Sequence, residues 1–415
     1  MNGVEAAVPL PDGLADGPLS LAAIQDPYAY FNALRASEAV HWEESVGAWL
    51  VTRYDDVVAL ARDAVTFSSS TLGADLAASP PILAGHVTHY EQVRAILSQQ
   101  LIRFDPPAHS AMRLTMHRHF TPPRAEAIRR SVRQIVVRQL NESMARRQMD
   151  VINELALPLP LAIIGELLGI PEADREYVGS LNDAILRFRD QAPDRMASIT
   201  ADVGRLVDYF DKLIKERRNA PRTDLMTVLL EAERDGTFTH EQVVANAIFM
   251  LDAGHSTTIS MITNGLLLFL RFPDQWRILL AEPDSRVKTA VDEILRFEPP
   301  LKTFDRVLTT SQTLHGKQML AGQRVRYVIA AANRDPRRFE HPDVFDVMRS
   351  PNPHLAFGTG FHHCLGSHLA RMEAQEVLMA VAELIPNYRL VGNLSEIEYR
   401  PSLTVRQATK VVIAW

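Results

Sequence analysis

Cys364 is the only cysteine in the 415-residue chain and lies in FGTGFHHCLG, with Gly358 and Gly360 before it and Gly366 after it. Glycines let backbone approach a ligand closely or take positive φ, and a following helix favours a sulfur anion through its unpaired N–H groups. The run SHLARMEAQEVLMAVAEL supplies that helix. The pattern suits a thiolate that holds something; the ordinary alternative for a lone thiol is an inert buried side chain. Zinc is a second alternative, because His362, His363, Cys364 and His368 cluster. Adjacent histidines point apart, however, and the spacing matches no common zinc arrangement. A dinucleotide loop fails as well, since GTGFHH lacks the last glycine and follows no clear strand.

A second concentration of chemistry, AGHSTT, lies at the middle of an apolar stretch from Ala245 to Leu270. Thr239 with Gln242 forms a capping box, Phe238 and Val243 bracket it as a staple, and Pro273 follows Arg271. A helix of about 32 residues, on the order of 48 Å, is expected, with AGHSTT central. Its hydroxyls either act on a ligand or bond back to carbonyls four residues earlier. Asn246, Met250, Ala253 and Thr257 share one face, which makes Asn246 a candidate substrate contact or a tie to a neighbouring loop. Asp252 precedes Ser256 by four residues, within reach on the helix surface. Glu293 and Arg296 in DEILRF are likewise neighbours on a helix, followed by Pro299-Pro300.

The elements around these motifs read as one large, mainly α domain with small sheets at its edges, after a flexible tail at residues 1–20. A helix over Asp26 to Ala36, two strands in VHWEESVGAWLVTR, helices from Tyr54 to about Leu270 and a second short-strand region from Arg306 to Val328 are expected. An irregular stretch from Asn333 to Pro353, a last helix and a β-rich C-terminus complete it.

Composition narrows the function. With 47% hydrophobic and 23% charged residues the chain supports a large core. A net charge of −6 gives no general attraction to nucleic acid. The N-terminus lacks a basic and an apolar region, and polar residues run through Ala245 to Leu270. Neither a signal peptide nor a membrane span is therefore expected, and a soluble cytoplasmic protein follows; a monomer is expected as well.

FGTGFHHCLG resembles the haem-binding loop of the cytochrome P450 family, whose pattern F-x-x-G-x-x-x-C-x-G it meets at every fixed position. Similarity to the soluble bacterial members extends from about Asp26 to the C-terminus. The resemblance implies the cytochrome P450 fold over residues 21–415, α+β, with haem b (iron protoporphyrin IX) between the long helix and the helix after the cysteine loop. It implies Cys364 as the iron ligand with Phe357 near its sulfur; a thiolate ligand favours cleavage of dioxygen. His109 and Arg113 in DPPAHSAMR, with Arg306 and His362, match the positions that meet the haem propionates, and Ala253 faces the haem. Glu293 and Arg296 match a structural E-x-x-R element whose third partner is Arg349 or another arginine nearby. AGHSTT resembles A-G-x-(D/E)-T, in which Gly254 opens room for dioxygen and Thr257 steers protons. The usual acid is Ser256 here, and Asp252, one turn back, is the candidate replacement.

By the same resemblance the function is that of a haem-thiolate monooxygenase oxidising a small, mostly apolar organic metabolite. Oxidative coupling or ring formation is the alternative within that chemistry, and a non-catalytic gas sensor or carrier the alternative outside it. Only 51 residues follow the cysteine, so electrons are expected from a separate ferredoxin and its reductase. Arg113, Arg118, Arg124, Arg129, Arg130 and Arg133 form a basic stretch on which an acidic ferredoxin could dock. The substrate is expected to meet the stretch from Phe67 to Gln100, the middle helices, Asn246, Met250 and Ala253, residues 301–304 including Phe304, and Leu403 with Thr404.

Overall fold

The computed structural model describes residues 17–70, 87–189 and 195–415. Residues 1–16 of the expected tail and 71–86 of the expected substrate-lining stretch lie outside the described residues. The chain forms two compact units. The first takes residues 17–70, Asn264–Cys364 and Gly392–Lys410; the second takes the rest, including the long helix up to Thr263 and the last helix.

In the first unit a five-stranded sheet runs in the order Val40–Glu43, Ala48–Val51, Arg324–Val328, Thr303–Leu308, Phe67–Ser68. The first two strands turn through Gly47 at φ +57, a conformation that side chains disfavour. Alternation along the strands sorts the core onto two faces. Trp49, Val51, Val325 and Tyr327 join Tyr54, Val57 and Phe67 on one face, whereas Leu50 and Val328 pack with Tyr30, Phe31 and Leu34 on the other. The second face is where helix Pro27–Ser37 lies, within one residue of its expected position. Strand Phe67–Ser68 was not visible in the sequence, because two residues carry no period.

The second unit is built mainly of helices. Its small sheet joins Gln148–Asp150, Val412–Ala414 and Arg389–Leu390, so the C-terminus carries less strand than expected, with two isolated bridges besides. Pro158 and Pro160 fall in the first turn of helix Pro158–Leu168, where proline is tolerated, and a π-helical turn over Ile152–Ala156 precedes it. The long helix spans His240–Arg271. Its cap is reciprocal: Thr239 N–H donates to Gln242 Oε1 at 3.0 Å and Gln242 N–H to Thr239 Oγ1 at 3.3 Å. Among the described residues no single helix is long and apolar enough to cross a membrane.

Two of the expected docking arginines are spent internally. Arg129 pairs with Glu376 at 2.7 Å and with Glu126, and Arg133 pairs with Glu383, which ties helix Pro122–Ser143 to the last helix, Ser367–Leu384. Arg118, Arg124 and Arg130 remain exposed.

Candidate functional site

The Cys364 loop in the first unit is closed by its own backbone. Cys364 N–H donates to the Phe357 carbonyl at 2.8 Å, and Gly358 N–H to the Leu355 carbonyl at 2.8 Å. Gly358 and Gly360 sit at φ +70 and +71. At Gly360 an added Cβ would lie 2.6 Å from the Ala61 carbonyl oxygen, so helix Tyr54–Arg62 abuts the loop there. Gly366 differs from expectation: at φ −82 it adopts a conformation open to any residue. The thiol is half-buried.

The loop's approach is fixed from below by a buried ion network. Arg296 sets Nε and Nη2 on the two Glu293 oxygens at 2.7 and 2.8 Å, and Nη1 on the carbonyls of Asn333 and Pro342. The remaining partner is Arg349, whose Nε lies 3.2 Å from Glu293. Asn352 and the Asp346 N–H, at 3.0 and 2.9 Å, saturate the carboxylate, and the sequence offered no sign of either. Both Glu293 and Arg296 are fully buried, which is tolerable only because every charge is paired and hydrogen-bonded. Asn333 Oδ1 accepts the Leu355 N–H at 2.7 Å, linking network to loop.

Of the candidate propionate contacts, Arg306 and His362 belong to the first unit. Arg306 is buried on strand Thr303–Leu308, over the Tyr327 ring at 5.6 Å. His362 meets Ser69, Nε2 to Oγ 2.8 Å, a partner the sequence reading missed. His109 and Arg113 lie in the second unit on helix Ala108–His117, four residues apart and so on one face, His109 buried. Within the first unit, the thiol on its glycine-relieved loop with Arg306 and His362 has the chemistry that haem requires: a soft ligand for iron and polar partners for carboxylates.

At the centre of the long helix, in the second unit, the hydroxyls bond locally. Thr257 donates to the Ala253 carbonyl at 2.8 Å and Ser260 to the Ser256 carbonyl at 3.2 Å. Ser256 reaches both the carbonyl and Oδ1 of Asp252, at 3.1 and 3.0 Å, as the four-residue spacing predicts. Burial pushes the adjacent His255 imidazole down to about 4, against the opposing pull of the Asp252 carboxylate. Gly254 departs from expectation. Its added Cβ would meet Ile164 at 3.2 Å, so glycine there serves close approach to helix Pro158–Leu168 rather than open space.

Two expected substrate contacts are corrected. Asn246 is fully buried; its Oδ1 accepts the Leu101 N–H at 2.8 Å, and Nδ2 donates to the carbonyls of Gln99 and Gln242. Its amide therefore clamps a loop to the helix. Leu403 packs in the core with Tyr30, Phe31 and Leu50. Phe304 packs half-buried against the opposite core, Thr404 is half-buried, Met250 is buried and Ala253 half-buried. One buried acid has no place in the sequence reading: Glu373 of the last helix, whose Oε2 has no partner among the described residues. Burial pushes it up to about 8.

The comparisons agree with this geometry. The cytochrome P450 family model matches residues 84–391, and the chain belongs to the cytochrome P450 family. It is 31% identical over 406 residues to the biotin biosynthesis cytochrome P450 of Bacillus subtilis, covering 97% of this chain and 99% of that one. A steroid C26-monooxygenase of Rhodococcus jostii is 32% identical over 405 residues, covering 94% and 83%. The crystal structure of P450BioI with an acyl carrier protein ligated to hexadec-9Z-enoic acid superposes with a TM-score of 0.86 at 30% identity, covering 94% of this chain and 99% of that one. The protein is a haem-iron oxidoreductase of the monooxygenase type, with the cytochrome P450 fold, and depends on redox partners.

Proposed function

We propose that this enzyme hydroxylates a small, mostly apolar organic metabolite, taking electrons from a ferredoxin and its reductase in the cytoplasm. The observation that carries the reading is the Cys364 loop, a half-buried thiol on a backbone that hydrogen bonds and positive-φ glycines hold in one shape. Haem b is the form assigned, with Cys364 as its ligand and His109, Arg113, Arg306 and His362 pairing with its carboxylates. When bound, the haem supplies the iron on which dioxygen is activated with externally delivered electrons. The chain's own residues hold, orient and supply protons. Ser256 donates from Oγ to Asp252 Oδ1, and the pair is assigned to proton supply, Ser256 being next in sequence to Thr257. Residues 21–415 act as one cytochrome P450 domain and as a monomer in this reading.

The relatives' names include a fatty acyl chain and a steroid, both long apolar bodies with a polar end, and the substrate assigned here has that character. Exposed Arg118, Arg124 and Arg130 and the Leu114 side chain, 76% exposed, suit an acidic ferredoxin steered by charge. The test is turnover with a surrogate ferredoxin and reductase under labelled dioxygen, after a ligand screen read from the Soret band. One labelled atom in the product supports hydroxylation. Coupled product without label indicates radical joining, and no sustained turnover with any ligand that shifts the band indicates a carrier.

A further inference from the structure

The end of the sheet's last strand does more than close an edge. Phe67 pairs with Leu308 and Ser68 with Val307 in antiparallel register, and Ser69 is the first residue past the strand's end. Ser69 is 2% exposed, and its Oγ lies 2.8 Å from His362 Nε2, 293 residues along the chain. Seven residues earlier in the sequence than Ser68, the Ala61 carbonyl abuts Gly360 of the same loop. The connection from Ala61 to Ser69 thus grips the cysteine loop at two points, one steric and one through a hydrogen bond. A hydroxyl held against one ring nitrogen fixes an imidazole's rotamer and can pair with either tautomer. Donation from Oγ to Nε2 leaves the ring proton on Nδ1, the form that donates to a carboxylate.

We propose that Ser69 is a positioning residue: it orients His362 toward the carboxylate end of the haem. The proposal rests on the assignment of haem to Cys364. Thr and Val differ at this position only by a hydroxyl in place of a methyl group, so Ser69→Thr and Ser69→Val isolate the hydrogen bond from packing. The measurement is the rate at which haem leaves the holoprotein for an excess of apo-globin, with the reduction potential alongside and urea unfolding of the haem-free chain as a control. Ser69→Val should speed haem loss by roughly tenfold and shift the potential, and Ser69→Thr should keep both near wild type, with the two variants unfolding alike in urea. In a His362→Ala background, Ser69→Val should add nothing. A wild-type rate in Ser69→Val, equal rates in the two variants, or additive effects with His362→Ala would each overturn the proposal. A wild-type chain that holds no haem, or whose reduced CO complex lacks the thiolate-type Soret band, would instead overturn the assignment beneath it.

Discussion

The cysteine loop and the centre of the long helix are held in opposite ways. Beyond its own backbone bonds, the loop is anchored by residues distant in sequence: Ala61 and Ser69 touch it, and Glu293, Arg296, Arg349 and Asn352 hold its approach. The helix centre is fixed by its own turns, with Ser256, Thr257 and Ser260 each bonding four residues back. A loop that must present a thiol without a helical ladder needs external anchors. A helix needs none, and here Ser256 reaches the Asp252 carboxylate one turn back on the same helix.

This contrast sets the order of the expected effects. Arg296→Leu leaves Glu293 buried and uncompensated and should cost about 3–5 kcal/mol, read as a fall in the urea midpoint together with loss of haem. Arg349→Leu, at the network's partly exposed edge, should cost less; equal losses would mean that the network does not centre on Arg296. Substituting the two glycines compares the regions directly. Gly360→Ala meets the Ala61 backbone at 2.6 Å in a positive-φ conformation, whereas Gly254→Ala meets the side chain of Ile164 at 3.2 Å, which can shift. The first should lose about 1–2 kcal/mol from backbone strain alone, plus the clash, and the second should lose less by thermal unfolding.

Asn246→Leu should cost about 1–3 kcal/mol through the unpaired Leu101 N–H and the Gln99 carbonyl. It should weaken substrate and an azole ligand of the iron equally in a Soret titration; a selective loss of substrate would restore Asn246 to the site. The smallest effects are pH-dependent and lie in the second unit. His255 falls from 6.5 to about 4 on folding, so the unfolded chain takes the proton first and stability is lost as pH drops from about 6.5 to about 4. Glu373 rises from 4.5 to about 8, so the unfolded chain releases its proton first and stability is lost as pH rises from about 4.5 to about 8. His255→Asn should flatten the acid limb of a stability–pH profile and Glu373→Gln the other.

What the sequence made legible was local. The cap, length and end of the long helix, the glycines at 358 and 360, the Glu293–Arg296 spacing and the Asp252–Ser256 reach all follow from residues within a few positions of one another. What it did not reveal joins segments far apart: Asn246 to Leu101, Ser69 to His362, Leu403 to the core around Tyr30, and Arg129 and Arg133 to the last helix. Their residue types fit a surface or a substrate equally well, and only the fold supplies the partner. The choice of Arg349 among several arginines belongs to the same class.

The central claim is that Cys364 supplies the thiolate ligand of haem iron, and it is tested most directly by the reduced CO spectrum of the wild type against Cys364→His. The wild type should give the red-shifted, thiolate-type Soret band, and Cys364→His should retain haem but lose that band. A wild type without the band, or a band that survives the substitution, would contradict the assignment.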